Sequence, residues 1–229
     1  MRLLLVRNAQ TQWNDEKRLH GNQDSPLTDE GKQQVQSLVD LLADESIDVV
    51  YSSDLGRAID TVRPIVAKHA GLTIEHRREL RERSHGIAQG MTQRAVFEQY
   101  PKLQDERLKN KYTYKNPKGE SYFDAETRLR PFVEELKQKH FSHTVLIVTH
   151  AGINRLLIGL LTAMSPQDLM AIDQPHDTVY EIENADTEPV VHHISPRGRV
   201  DGVLTREHTK KPSFADEEAQ DVELDEEWA

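Results

Sequence analysis

The stretch from Leu3 to Asn14 reads Leu-Leu-Leu-Val-Arg-Asn-Ala-Gln-Thr-Gln-Trp-Asn and indicates the fold more strongly than any other part of the chain. Its four consecutive apolar residues predict a strand that is buried on both faces, as in the parallel sheets of α/β proteins. Polar residues follow at once, so we expect Arg7 and Asn8 at the carboxyl end of this strand. Open α/β sheets bind their ligands at that edge.

Two later stretches repeat this pattern. Residues 48–52 and 144–149 predict buried strands; the first leads into a helix with Arg57 in its first turn, and the second ends at His150 directly before another helix. The carboxyl ends of parallel strands meet at one edge of a sheet, so Arg7, Arg57 and His150 should converge. Guanidinium groups and the N–H groups of helix N-termini match phosphate oxygens. The pattern therefore predicts a pocket for a phosphoryl group.

The remaining elements are predicted from the spacing of apolar residues. Helical spacing predicts helices over residues 28–43, 92–108 (one or two helices) and 121–139, and Ser165 is the expected N-cap of a further short helix. Shorter strands are predicted over residues 72–75, 178–182 and 189–194, and residues 13–25 are expected to be irregular. Strands that alternate with helices indicate an α/β domain.

Composition narrows the class of protein. A chain of 229 residues suits one α/β domain, which we place at residues 1–204, followed by an acidic extension over residues 205–229. The net charge is −10, but eight acidic and no basic residues lie between Pro212 and Ala229, which leaves −2 on residues 1–211. A nearly neutral body still permits a local cluster of arginines that binds a small anion.

Several classes of site and partner are not supported. The chain has no cysteine, which excludes disulfides and cysteine-based zinc sites, and no histidine spacing suggests a metal centre. No run of about 18 apolar residues or signal-type start appears, so we expect no membrane span and a cytoplasmic location. One basic, aromatic patch on an acidic chain does not support nucleic-acid binding. A homodimer is one candidate assembly.

Four motifs, in the expected order, resemble the histidine phosphatase (phosphoglycerate mutase-like) superfamily. They are Leu-Val-Arg-x-Ala-x-Thr-x-x-Asn from Leu5, Gly-x-x-Asp-x-Pro-Leu-Thr-x-x-Gly from Gly21, Ser-Ser-Asp-Leu-x-Arg-Ala-x-x-Thr from Ser52 and Val-Thr-His-Ala-Gly from Val148. The resemblance covers roughly residues 1–182. It implies a three-layer α/β/α fold with a mostly parallel sheet flanked by helices.

The resemblance also implies a phosphohistidine mechanism and a role for individual residues. Residue 8 would attack phosphorus, and Glu82 would protonate the departing oxygen and then take a proton from the attacking water. No metal or organic cofactor is required. The residues implied to bind the phosphoryl oxygens or to line their site are Arg7, Asn14, Gly21, Arg57, Glu82, His150 and Ala151.

A charged loop supplies the expectation about the substrate. Residues 111–122 read Lys-Tyr-x-Tyr-x-x-Pro-Lys-Gly-Glu-Ser-Tyr and resemble the substrate loop of fructose-2,6-bisphosphatases. By that resemblance Lys111, Tyr114 and Lys118 would hold a sugar phosphate or bisphosphate. The expected partner is therefore a small phosphorylated metabolite.

Asn8 departs from the family at the centre of the scheme. The first turn normally reads Arg-His-Gly or Arg-His-Ala, so Asn8 stands where the nucleophilic histidine is expected, and a carboxamide nitrogen has no basic lone pair. Two explanations are open: a substitution that disables an otherwise active phosphatase and traps its substrate, or a naturally inactive relative that binds a phosphorylated ligand for regulation. The persistence of the other pocket residues favours the first. Within the enzyme class, the alternative is a cofactor-dependent phosphoglycerate mutase.

Overall fold

The computed structural model describes residues 1–205. Within them, one sheet contains β1 (Arg2–Arg7), β2 (Val49–Ser53), β3 (Ile74–Arg77), β4 (Thr144–Thr149), β5 (Val179–Glu183), β6 (Val190–Ser195) and β7 (Gly198–Asp201). The α-helices are α1 (Gln12–Asp15), α2 (Asp29–Leu42), α3 (Gly56–Val66), α4 (Gln93–Gln99), α5 (Pro101–Lys109), α6 (Tyr122–Lys139), α7 (Ala151–Thr162) and α8 (Pro166–Ala171). The predicted acidic extension, apart from Thr205, lies outside the described residues.

The strands follow the order β3-β2-β4-β1-β5-β6-β7 across the sheet. β1, β2, β3 and β4 are mutually parallel, whereas β5, β6 and β7 continue the sheet in antiparallel pairings. The sheet is therefore mixed. Its antiparallel part follows from short connections: β6 and β7 are joined by the two residues 196–197, which can link only antiparallel neighbours. β7 was not predicted from the sequence.

Helices cover both faces of the sheet, which confirms the predicted three-layer α/β fold. Successive residues of β1 point to opposite faces. Leu3 and Leu5 pack into the core beneath α6, α7 and α8, and Leu4 and Val6 pack into the core beneath α2 and α3. All four side chains are fully buried, as expected of a strand that lies between β4 and β5.

The helix caps agree with the sequence. Thr28 Oγ1 accepts a hydrogen bond from the Gly31 amide at 2.9 Å, and Ser121 Oγ accepts one from the Asp124 amide at 3.0 Å. The segment expected to be irregular contains a short helix instead, α1, because Thr11 and Asn14 form a capping box. That helix turns Asn14 toward the carboxyl edge of the sheet. No helix in residues 1–205 is long and apolar enough to cross a membrane.

Candidate active site

A cavity opens at the carboxyl ends of β1 and β4. The predicted site residues that line it are Arg7, Asn8, Asn14, Gly21, Arg57, Glu82, His150 and Ala151. The ends of β1 and β4, the first turns of α3 and α7, helix α1 and the loops that carry Gly21 and Glu82 therefore bring these residues together. Lys111, Tyr114 and Lys118, which the resemblance placed at the substrate, are not among the lining residues.

Asn8 lies at the base of this cavity and is 5% exposed. Its side-chain Nδ2 donates to the carbonyl of Ala9 at 2.9 Å, so its Oδ1 must be the atom that faces His150. His150 Nδ1 is 2.9 Å from that oxygen and is therefore the protonated nitrogen of the ring. The His150 ring thus donates to the residue at which the sequence predicts the nucleophile.

The other nitrogen of His150 fixes the same tautomer. Ser53 Oγ accepts a hydrogen bond from the Leu55 amide at 3.3 Å and lies 2.9 Å from His150 Nε2, to which its hydroxyl donates. Burial, together with Arg57, His20 and Arg7, lowers the pKa of His150 well below its usual value. The ring is therefore neutral at pH 7, with its proton on Nδ1.

The backbone of residue 8 is also held on both sides. Its amide donates to the carbonyl of Thr149 at 2.8 Å, which ties the end of β1 to the end of β4. Its carbonyl accepts a hydrogen bond of 2.6 Å from His176 Nδ1, so that nitrogen of His176 carries the proton. Residue 8 is consequently fixed in position by both main-chain and side-chain hydrogen bonds.

Arg57 is 3% exposed, and its guanidinium is held by the loop before α2. It donates to the carbonyls of Gly21 and Gln23 and forms a 2.8 Å ion pair with Asp24. Asp24 also accepts hydrogen bonds from the amides of Gly56 and Arg57 at the start of α3. A basic residue is unfavourable in the first turn of a helix, and the Asp24 carboxylate in front of that turn offsets its charge.

Arg7 also lines the cavity. Its guanidinium donates to the main-chain carbonyl of Gln174 at 2.8 Å. Burial lowers the pKa of Arg7 to about 10, while the nearby Asp173 carboxylate raises it, so the side chain stays charged at neutral pH. Arg7 and Arg57 together give the base of the cavity a positive charge suited to a phosphoryl group.

Glu82 is held by two amide donors. Its carboxylate accepts hydrogen bonds from the Arg83 amide at 2.8 Å and from the Gly152 amide, in the first turn of α7, at 3.1 Å. A Cβ atom on Gly152 would lie 2.6 Å from Glu82 Oε1, so this approach requires glycine. The helix N-terminus therefore positions the carboxylate that is predicted to act as the acid and base.

Seven further residues line the cavity without having been named individually as predicted site residues, although Tyr122 ends the predicted substrate loop. They are His20, Arg83, His85, Tyr122, Gly152, Arg155 and Asp173. Arg155 lies five residues after His150 and is the only charged residue of α7, which is otherwise apolar or neutral. The isolated charge of Arg155 in an apolar helix is a sequence signal that could have identified it as a site residue. The other residues lie on loops or at helix starts, where the spacing of apolar residues does not show which way a side chain points.

The loop of residues 111–122 packs beside the cavity. The carbonyl of Pro117 accepts a hydrogen bond from the Ile87 amide at 3.1 Å, and the Glu120 amide donates to the carbonyl of Ser84 at 2.8 Å. The Tyr114 hydroxyl is occupied by Asn116 at 2.5 Å. Only the last residue of this loop, Tyr122, lines the cavity.

No group of histidine, aspartate and glutamate side chains in residues 1–205 has the arrangement of a metal site. The polar lining of the cavity combines four arginines and three neutral histidines with the carboxylates of Glu82 and Asp173 and the side chains of Asn8, Asn14 and Tyr122. Such a set can bind an oxyanion and stabilise charge that develops on it.

Comparisons with known proteins agree with this geometry. A sequence profile of the histidine phosphatase superfamily (branch 1) matches residues 3–195. A 6-phosphofructo-2-kinase/fructose-2,6-bisphosphatase from Caenorhabditis elegans is 32% identical over 175 residues, which are 76% of this chain and 36% of that protein. The chain thus spans little more than a third of that relative. Phosphoserine phosphatase 1 from Hydrogenobacter thermophilus is 33% identical over 150 residues, 66% of this chain and 71% of that protein.

A solved structure shows the same fold. The α-ribazole phosphatase from Shigella flexneri superimposes with a TM-score of 0.76 at 25% sequence identity, over 93% of this chain and 100% of that one. The sequence and structure comparisons therefore point to one type of protein.

Proposed function

Because the chain belongs to the histidine phosphatase superfamily, we propose that its cavity is the site of a phosphatase for a small phosphorylated metabolite, a sugar phosphate or bisphosphate. The observation that carries this proposal is the direct hydrogen bond of His150 to residue 8, with Arg7 and Arg57 lining the same cavity. This is the arrangement that phosphoryl transfer to a side chain at position 8 requires.

In the proposed reaction, a histidine at position 8 attacks phosphorus and the bond to the leaving oxygen breaks. Glu82 gives its proton to that oxygen and later takes one from the water that cleaves the phosphohistidine. Arg7 and Arg57 donate hydrogen bonds to the oxygens as their charge redistributes. His150, whose Nδ1–H is directed at residue 8, holds the side chain there. With Asn8 the first step has no nucleophile, so the chain as it stands binds the ester without turning it over.

A second candidate, a binding module for a phosphorylated metabolite, is favoured by the way Asn8 is held. Its amide, carbonyl, Oδ1 and Nδ2 all have hydrogen-bond partners: Thr149, His176, His150 and Ala9. Asparagine therefore fits this position without leaving a buried polar group unsatisfied. Both candidate functions predict that the chain binds a phosphorylated metabolite. They differ in whether a histidine at position 8 would give phosphatase activity.

The substitution Asn8→His tests the proposal. Phosphatase activity on a panel of phosphomonoesters and acid-labile labelling of residue 8 should both appear, and Glu82→Gln in that background should slow turnover. A loss of the nucleophile in a serine protease costs roughly 10⁶-fold in rate, so we expect a gain of several orders of magnitude. A well-folded Asn8→His protein that neither takes up phosphate nor hydrolyses any ester would favour the binding module.

A further inference from the structure

The turn of residues 175–178 lies against the end of β1 and has no part in the proposed reaction. The amide of Thr178 donates to the carbonyl of Pro175 at 3.2 Å, which closes the turn with His176 at one of its two central positions. Just before the turn, the side chain of Gln174 is buried, and its Nε2 donates to the carbonyls of Leu5 at 3.0 Å and Thr178 at 3.1 Å. The turn is therefore fastened to β1.

His176 supports one edge of the peptide unit that joins residues 8 and 9. Its Nδ1 donates to the carbonyl of Asn8 at 2.6 Å. The amide of Ala9, on the other edge of the same unit, donates to Thr61 Oγ1 at 3.0 Å in a fully buried contact. Because a peptide unit is planar, hydrogen bonds on its two edges fix its rotation. His176 and Thr61 thus hold this peptide unit from two sides.

The peptide unit before residue 8 is also held. Its amide donates to the carbonyl of Thr149 at 2.8 Å, at the end of the parallel pairing of β1 with β4. With both flanking planes fixed, φ and ψ of residue 8 are fixed, and these two angles set the direction of its Cα–Cβ bond. His176 does not line the cavity, but its contact therefore controls where the side chain at position 8 points.

The same two supports are linked to the arginines of the cavity. The carbonyl of Gln174, two residues before His176, accepts the 2.8 Å hydrogen bond from Arg7. The Thr61 hydroxyl donates to the carbonyl of Arg57 at 2.8 Å, one turn earlier in α3. The position of residue 8 relative to both guanidinium groups is thus set through the turn of residues 175–178 and through α3.

We propose that His176 is a positioning residue for position 8: its hydrogen bond to the residue-8 carbonyl, opposed by Thr61 at the Ala9 amide, aims the side chain there at the phosphoryl group. This inference rests on the proposed function. Rates are sensitive to such aim, since a displacement of about 1 Å at a reacting atom costs on the order of 100-fold.

Kinetics of the full chain in the Asn8→His background test the proposal. His176→Leu removes the donor and keeps a side chain of similar size. His176→Asn keeps a donor, because the carboxamide nitrogen lies as many bonds from Cβ as Nδ1 of histidine. His76→Leu is the matched control, since His76 is an exposed histidine of β3 at the far edge of the sheet. Thermal melting establishes that each variant is folded.

His176→Leu should lower kcat roughly tenfold to a hundredfold, because the nucleophile is misdirected. KM should change by about threefold or less, because Arg7 and Arg57 are retained. His176→Asn should keep kcat within about threefold of the parent, and His76→Leu should change neither constant. An unchanged kcat in His176→Leu, an equal loss in His176→Asn, or a change in KM alone would overturn the proposal.

A double-mutant cycle with Thr61→Val tests whether the two supports act on one peptide unit. Thr61→Val removes the acceptor of the Ala9 amide and nearly preserves the shape of the side chain. Once either support is lost the peptide unit can rotate, so the loss of kcat in the double variant should be smaller than the product of the two single losses. Independent losses that multiply would contradict a shared action on residue 8.

NMR of the Asn8 protein gives a measurement that does not depend on turnover. The Nδ1 proton of His150 is bonded to Asn8 Oδ1 and reports where the side chain at position 8 lies. His176→Leu should shift this signal or speed its exchange with water, whereas His176→Asn should leave it in place. An unshifted signal in His176→Leu would overturn the positioning role. An Asn8→His protein without phosphatase activity would remove the proposed function, while the His150 signal would still decide whether His176 directs residue 8.

Discussion

His150 Nδ1 donates a 2.9 Å hydrogen bond to Oδ1 of Asn8, so the histidine that follows β4 is bonded to the asparagine that follows β1. The other ring nitrogen, His150 Nε2, accepts a hydrogen bond from the Ser53 hydroxyl. The neutral ring with its proton on Nδ1 is therefore the only tautomer that satisfies both hydrogen bonds. Residue 8 therefore contributes to the electrostatics of the cavity as well as to its shape.

The isosteric substitution Asn8→Asp should weaken phosphate binding at pH 7.5 by at least about tenfold, because a carboxylate is placed beside the bound oxyanion. The same carboxylate should raise the pKa of His150. Calorimetry with inorganic phosphate and histidine titration by NMR measure the two effects. Unchanged phosphate affinity would mean that phosphate does not bind next to residue 8.

Gly152→Ala should displace Glu82, because the new methyl carbon would lie 2.6 Å from Glu82 Oε1. In the Asn8→His background we expect a lower kcat with little change in melting temperature. In the Asn8→His, Glu82→Gln background, the same glycine substitution should have little further effect on kcat. Additive losses in this double-mutant cycle would show that Gly152 acts on catalysis by another route.

Asp24→Ala should lower the free energy of unfolding by about 1–2 kcal/mol, the upper range for loss of a helix cap. Asp24 accepts hydrogen bonds from two amides at the start of α3 and pairs with Arg57. Asp29→Ala is the control, since Asp29 is an exposed residue of α2, and should cost less than about 0.5 kcal/mol. Urea denaturation compares the two. A similar cost for both would argue against a capping role for Asp24.

Stability should fall as the pH drops below about 6.5. Burial is the largest cause of the lowered pKa of His20, His85 and His150, and it lowers that of His20 to about 3. The unfolded chain binds protons on these side chains near pH 6.5 and the folded chain does not, so acid favours unfolding by roughly 1.4 kcal/mol per histidine and pH unit. Urea denaturation between pH 7.5 and 5 measures this slope.

His20→Gln should reduce the slope by about one proton, because one neutral buried imidazole is removed. An identical slope in that variant would mean that His20 is protonated in the folded protein. Stability that is constant over this pH range would contradict the neutral state of all three histidines.

The site residues at strand ends could be predicted from the sequence. The loop residues that contact them in the cavity could not. Arg7 and His150 follow apolar runs whose direction and register are fixed by burial on both faces. Arg57 was predictable as a site residue, but its partner Asp24 lies in a loop and was not. The placement of Lys111 and Lys118 at the substrate was inferred from a resemblance of their loop, which does not specify how the loop of residues 111–122 packs against its neighbours.

The place of β1 in the sheet has a consequence for synthesis. Its partners β4 and β5 begin at Thr144 and Val179, so the first strand of the chain waits for about 140 further residues before it can pair. At ordinary translation rates this interval is on the order of ten seconds. During it the apolar run Leu3–Val6 lacks its partner strands and is a candidate for chaperone binding. No nascent chain that ends before His150 can bring Arg7 and His150 together.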